Sequence, residues 1–341
     1  MKKLVLMITA LMICMVVRAA DDDVEVTVKI KYNGAGTEVS MTVPDEISQY
    51  VNCTSGTSPH IKIVQSLKKK ENPNNYVIVY SLSGTTTDGS FTLEAEIKTA
   101  IELNNLNMTN PSGPALNIQN GKNTKIYVKK NTENSLADGK NEDYNGCIHC
   151  EGHLEFKKTG TLNIVGNSKH AIYSKEYVQI AKPTINITKA KKDGIHCKQY
   201  FWIQDACTVN ISGVKDDGIQ VEVKGDTPSE VYPEHESDDT DEDTGNFYQD
   251  DGTLTISDCG GAPIKVDGKA VYNGGTQNFD KTAVSEDNFT STGITTLQRN
   301  NVTSGEAVIY DLNGRRIDML DGRKGVFIIR KDNEIRKVIV K

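Results

Sequence analysis

What the sequence lacks narrows its class. There is no basic surplus: among 341 residues, 39 Lys and Arg stand against 46 Asp and Glu, a formal net charge of −7. Without Lys2, Lys3 and Arg18, which fall in a leader segment, the balance is 36 against 46, or −10. A phosphate backbone would meet no matching field, so nucleic acid is excluded as a principal partner. No long apolar run follows residue 20, which excludes a polytopic membrane protein. Global disorder is excluded by composition. Hydrophobic residues make up 37 %, and the 28 glycines raise that to about 45 %, ordinary for a folded chain.

Residues 1–20 read as a signal peptide. Lys2 and Lys3 form its basic start, and the apolar stretch 4–17 is too short to span a bilayer comfortably. Small residues around Val17-Arg18-Ala19 place cleavage near Ala19 or Ala20, whereas Ile13 makes Cys14 a poor lipidation site. The mature chain is therefore expected to be secreted or on the outer cell surface, without a transmembrane helix. Six cysteines remain: Cys53, Cys147, Cys150, Cys197, Cys207 and Cys259. An even count in an exported chain invites disulfides.

Helices of ten or more residues find no room in the middle of the chain, because an internal repeat fills it. Cys147-Ile148-His149-Cys150, Ala171-Ile172-Tyr173-Ser174, Gly194-Ile195-His196-Cys197 and Gly218-Ile219-Gln220-Val221 are equivalent, their isoleucines 24, 23 and 24 residues apart. Pro263-Ile264-Lys265-Val266 follows 45 residues later, one period plus an insertion. Two more rows repeat in step, through Leu154-Glu155-Phe156 and through Leu162-Asn163-Ile164. Three short alternating strands per period predict one turn of a parallel β-helix, each coil stacked on the next at about 4.8 Å. Ile148, Ile172, Ile195, Ile219 and Ile264 then form one buried column.

The expected organisation is all-β. A signal peptide (1–20) precedes an N-terminal β cap (21–84) and a parallel β-helix (85–280). Residues 225–251 form an insertion with eleven acids and no Lys or Arg, which composition marks as solvated. A polar linker (281–301) leads to a small β domain (302–341).

Alternation sends His149, Tyr173, His196, Gln220 and Lys265 outward from the first row. Such a strip offers rings to the CH faces of sugars and donors to their hydroxyls. The plain reading of the same strip is a solvated sheet face. The same register separates His149 from Cys150, which weakens a zinc or redox reading of the C-x-x-C segment. Cys150 and Cys197 lie two coils apart, roughly 9.6 Å, too far for a disulfide. Asn163, Asn186, Asn210 and Thr255 face outward in the third row as a structural ladder.

The sharpest site lies at Asp193-Gly194 and Asp217-Gly218, the same corner in adjacent coils. Carboxylates stacked at about 4.8 Å repel unless something lies between them. A Ca²⁺ ion could bridge them, with Asp216 beside the pair and Asp250 and Asp251 approaching from the insertion. The alternative is plain turn chemistry, with Lys192 and Lys215 as countercharge. Calcium would also let an acidic chain hold a uronate-rich glycan, helped by Lys169, Lys175, Lys192 and Lys198. No Ser-His-Asp constellation or nucleophile motif stands out. A Lys beside calcium could imitate the base of a polyuronate lyase, but a solvent-exposed Lys is too basic for that work near neutrality.

Lys169-His170-Ala171-Ile172, Lys192-Asp193-Gly194-Ile195-His196-Cys197 and Asp216-Asp217-Gly218-Ile219-Gln220 resemble a known family, as do Thr161-Leu162-Asn163-Ile164-Val165-Gly166-Asn167 and Gly245-Asn246-Phe247-Tyr248-Gln249. Over roughly residues 85–280 the chain is similar to the calcium-associated, carbohydrate-binding β-helix proteins of Bacteroidota, which are akin to polysaccharide lyases. The resemblance implies a right-handed parallel β-helix and binding of acidic plant polysaccharide such as polygalacturonate. It further implies calcium near the Asp-Gly corners and no established catalysis. His170 and Gly146 stand where the fuller pattern has Asp, so fewer calcium sites are expected here. Residues 308–316 and 324–329 resemble the sorting tail of type 9 secretion, which implies a secretion machinery as partner.

Overall fold

A computed structural model describes residues 23–34, 39–54, 59–72, 74–225 and 243–287, together with 308–311, 316–317, 325–331 and 334–340. The expected signal peptide, residues 226–242 of the acidic insertion and residues 288–301 of the linker lie outside the described residues.

The repeat folds as its spacing predicts, into three rows of stacked parallel strands. In the first row Gly146–Cys150, His170–Ser174, Ile195–Lys198, Ile219–Glu222 and Ile264–Val266 pair in sequence. Ile148, Ile172, Ile195, Ile219 and Ile264 meet in direct register and are fully buried. Leu154–Lys157, Val178–Ala181, Tyr200–Gln204 and Asn246–Gln249 form the second row. Thr161–Gly166, Thr184–Ala190, Thr208–Ile211 and Thr253–Ile256 form the third. Each coil closes little core alone, so the apolar columns are completed only by the neighbours above and below.

Rows two and three diverge from one long strand, Thr99–Asn110. Its first half pairs with Thr124–Val128 and its second with Glu133–Asp138. The bend falls at Asn105, which adopts φ +54°, opposite a register shift at Ser83/Gly84. Gly84 has φ +88°, and a Cβ there would sit 2.0 Å from the Tyr32 carbonyl oxygen, so only glycine fits.

The stretch expected as an N-terminal cap carries strands of the same sheets. Val24–Asn33 pairs in parallel with Tyr76–Thr86, and His60–Gln65 with Ser90–Ala95. Two antiparallel additions, Val39–Thr42 and Val51–Cys53, lie at this end. They shield edges that would otherwise offer unpaired backbone groups to other chains. In the C-terminal part, Val308–Asp311, Arg316–Ile317, Gly325–Lys331 and Glu334–Val340 form a separate antiparallel sheet. Among the described residues, Cys147, Cys150, Cys197, Cys207 and Cys259 form no disulfide. Burial pushes the Cys150 thiol up to about 12, which removes it from thiolate chemistry.

Candidate functional site: a shared carboxylate at the coil corner

Just before the first row, each coil turns a corner. Register places Gly146, His170, Asp193, Asp217 and Ala262 at equivalent corner positions of successive coils. The turn is tight at the next residue. A Cβ on Gly194 would meet the Gly218 carbonyl oxygen at 2.7 Å, and one on Gly218 would meet that of Pro263 at 2.5 Å. Asp-Gly therefore recurs for a steric reason as well as for turn chemistry.

Asp193 and Asp217 do lie in adjacent coils, and both are buried. They are joined by a backbone relay rather than left in bare opposition. The Asp217 N–H donates to Asp193 Oδ1 at 3.0 Å, and the Ala262 N–H donates to Asp217 Oδ1 at 2.7 Å. Each corner carboxylate thus accepts from the backbone of the next coil. Exposed Asp216 stands beside them, and one oxygen each of Asp193, Asp216 and Asp217 lie within 4.8 Å of one another.

The countercharge at Asp193 comes from imidazole, not from the lysines expected there, Lys192 and Lys215. His196 Nδ1 hydrogen-bonds Asp193 Oδ2 at 3.0 Å, and His170 Nδ1 lies 3.1 Å from the same oxygen. Burial pushes the Asp193 carboxyl up, but the two imidazoles more than reverse this and hold it far below the carboxylate range. Burial likewise disfavours the His196 cation. Asp193 and Glu222 outweigh it and lift His196 to about 9. His196 in turn pulls Glu222 down to about 2 against the opposing effect of burial. Lys198 pairs with Glu222 at 3.3 Å, and Gln220 Nε2 donates to it at 3.2 Å.

The predicted outward column is in register, His149 to Tyr173 to His196 to Gln220 to Lys265. Its rings stack: His149 on Tyr173 at 5.3 Å and 8°, Tyr173 against His196 at 5.5 Å and 30°. The column is less open than expected, since His149 is only 3 % exposed and His196 only 9 %. Tyr144 packs edge-on against His149. The Asn145 N–H donates to His149 Nδ1, so Nε2 bears the proton and donates to Glu151 at 2.9 Å. Tyr173, Gln220 and Lys265 remain partly exposed, and Lys192 is exposed.

Asp250 and Asp251 do not join the corner pair. They follow Asn246–Gln249, on the turn from the second row to the third. There Asp250 accepts from Trp202 Nε1 at 2.7 Å and from Asn273 Nδ2 at 2.8 Å, and Asp251 accepts from the Gly252 N–H at 2.7 Å. Proximity to the insertion in sequence gave them the wrong corner.

A second aromatic column was overlooked by sequence reasoning although it keeps the same period. His153, Tyr177 and Tyr200 are spaced 24 and 23 residues apart. They stack at 4.1 and 4.7 Å at the start of the second row. His153 and Glu176, 2.8 Å apart, line a cavity of about 570 Å³ with Asn72, Glu96, Lys98 and Asn123. Burial raises the Glu176 carboxyl, and His153 and Lys224 more than reverse that, leaving it below its ordinary value.

A stacked parallel coil with outward ring columns is an architecture suited to long, repetitive ligands. Residues 75–318 match the family of carbohydrate-binding domain-containing proteins, and the chain belongs to that family. Membership supports carbohydrate binding as its general function. No curated protein matches the chain. Among solved structures, it is similar to a polysaccharide lyase-like protein from C. thermocellum, solved as a gadolinium derivative. The TM-score is 0.54 at 20 % identity, covering 76 % of this chain and all of the other. At that identity the likeness speaks for the fold.

Proposed function

We propose that the chain is an exported, right-handed parallel β-helix that binds an acidic, polygalacturonate-like polysaccharide along its first-row face without cleaving it. The observation that carries this reading is the Tyr173 ring. It is held nearly parallel to His149, remains partly exposed, and has Gln220 and Lys265 continuing its column. A ring fixed in this way presents a sugar-stacking surface with little entropy left to lose on binding. Lys169, Lys175, Lys192 and Lys198 supply cations for uronate carboxylates around the same face, which lets a chain of net negative charge hold a polyanion.

Calcium belongs to this reading as a bridging ion at Asp193, Asp216 and Asp217. Calcium takes about six to eight oxygen ligands. Asp216 and Asp217 Oδ2 can contribute, while both oxygens of Asp193 already accept from the backbone or meet imidazole. The corner therefore supplies part of a shell, and water and uronate carboxylates would supply the rest. Export through a type 9-like machinery, read from the C-terminal tail, completes the proposal.

A glycan array with and without chelator, followed by titration with polygalacturonate, tests it. Tyr173→Ala is expected to weaken binding about tenfold, the scale of a lost aromatic anchor. Chelation is expected to weaken it as well. Growth of ultraviolet absorbance from unsaturated products would replace the binding module with a lyase. Failure to bind any glycan would turn the reading toward an adhesive surface protein.

A further inference from the structure

The corner offers two kinds of donor set that share Asp193. One is the carboxylate group just discussed. The other is built from nitrogen: His170, Asp193 and His196, with donor atoms all within 4.8 Å of one another and all three residues buried. We propose that His170 Nδ1, His196 Nδ1 and Asp193 Oδ2 bind a borderline divalent transition metal of the Zn²⁺ class. This site is distinct in chemistry from the calcium position and does not depend on the glycan reading.

Convergence is the first support. Two imidazole nitrogens from adjacent coils approach one carboxylate oxygen, at 3.1 and 3.0 Å. In a tetrahedral zinc site with bonds of about 2.0–2.1 Å, neighbouring donors lie about 3.3 Å apart, close to both nitrogen–oxygen distances here. The orphaned nitrogen is the second. His170 is 95 % buried, and its Nδ1 has no hydrogen-bond partner despite its closeness to Asp193. A buried polar atom without a partner costs free energy that a bound cation would recover.

Outer contacts fit the same assignment. Glu222 Oε2 lies 3.4 Å from His196 Nε2, on the far side of the ring from Asp193. A carboxylate there would keep the proton on Nε2 once a metal displaced the Nδ1 proton now shared with Asp193, the usual outer support of a ligating histidine. Lys198 fixes Glu222 at 3.3 Å. The Asp217 N–H occupies Asp193 Oδ1 and so leaves Oδ2 facing the imidazoles. Two nitrogens and one carboxylate oxygen suit zinc-class ions and are a poor set for calcium, which takes oxygen. Three protein ligands leave a fourth position for water. Binding would displace protons from the imidazoles and tie two coils together through one ion.

The purified chain, stripped with chelator, is titrated with Zn²⁺, Co²⁺ and Ca²⁺. One equivalent of Zn²⁺ is expected, with a thermal midpoint raised by several degrees. Co²⁺ should give visible absorption that Zn²⁺ abolishes and Ca²⁺ does not. In the unaltered chain, Zn²⁺ should move the ring resonances of His170 and His196 and leave those of His60 and His149 in place. His170→Gln should weaken Zn²⁺ binding by about tenfold or more. Substoichiometric Zn²⁺, unmoved His170 and His196 resonances, or equal affinity in a folded His170→Gln chain would overturn the assignment. None of these readouts involves a glycan, so loss of polygalacturonate binding and loss of zinc binding are separate results.

Discussion

Asp193 and Asp217 hold the same place in consecutive coils, precede the same glycine and accept the same kind of backbone N–H, yet they are driven in opposite directions. Asp193 is held far below the carboxylate range by two imidazoles that outweigh its burial. Asp217 is raised, first by burial, with the Ala262 N–H opposing and the neighbouring acids Asp193 and Asp216 adding to the rise. The difference comes from two positions. Asp193 has His170 one coil before it and His196 three residues after it, where Asp217 has Asp193 and Gln220. Asp138 sharpens the contrast. It is 2 % exposed, accepts N–H groups from Asn167 and Ser168, and is pushed by burial to about 6 despite them. Backbone donors alone do not restore a buried carboxylate to its ordinary value in this solenoid, whereas imidazoles do.

The largest expected effect comes from breaking the low corner. Asp193→Ala leaves two buried imidazoles without their carboxylate and the Asp217 N–H without its acceptor. Breaking a buried, paired charge in this way costs about 3–5 kcal/mol. Asp217→Ala removes an acceptor from one N–H and a distant Lys265 contact of 3.9 Å, and should cost about 1–2 kcal/mol. Urea unfolding of the two variants side by side measures the gap, and equal midpoints would dissolve the comparison.

A second effect, on the order of 3 kcal/mol, is carried by pH at Asp138. Its folded pKa lies above the ordinary carboxyl value, so the folded state holds the proton more tightly than the unfolded one. The resulting stability is complete below about pH 4 and is lost as pH rises through about 6. Asp138→Asn should flatten unfolding free energy across that window. A slope unchanged in the variant would assign the titration to another group.

The sequence made the coil legible because its period is written in isoleucines that must all face inward. The Asp-Gly corners were legible for a related reason: the turn tolerates little else at the glycine. Alternation says which side of a sheet a residue takes, however, and not what packs over it. His149 and His196 point away from the core as expected and are nonetheless buried, one beneath Tyr144 and the other between Asp193 and Glu222. His170 was visible only as a departure from the acidic corner. Its meaning depends on adding one coil offset to a three-residue step within a coil, and neither alone brings it to His196. Asp250 and Asp251 were misplaced because closeness to the insertion says nothing about which of the three corners a turn occupies.

The smallest effect is constructive. Gln220 stands in register with His196, three residues beyond its own corner acid. Gln220→His would give Asp217 the imidazole that Asp193 already has, with Glu222 two residues along the same strand. The hydrogen bond to a charged group should stabilise the fold by about 1 kcal/mol near neutral pH. The more direct readout is the Asp217 side-chain carboxyl resonance followed through a pH titration. Its midpoint should drop from above to below the ordinary carboxylate value, while the Asp193 midpoint stays low. An Asp217 midpoint that remains raised beside a newly placed imidazole would mean that the contrast between the corners lies in their burial and not in their histidines.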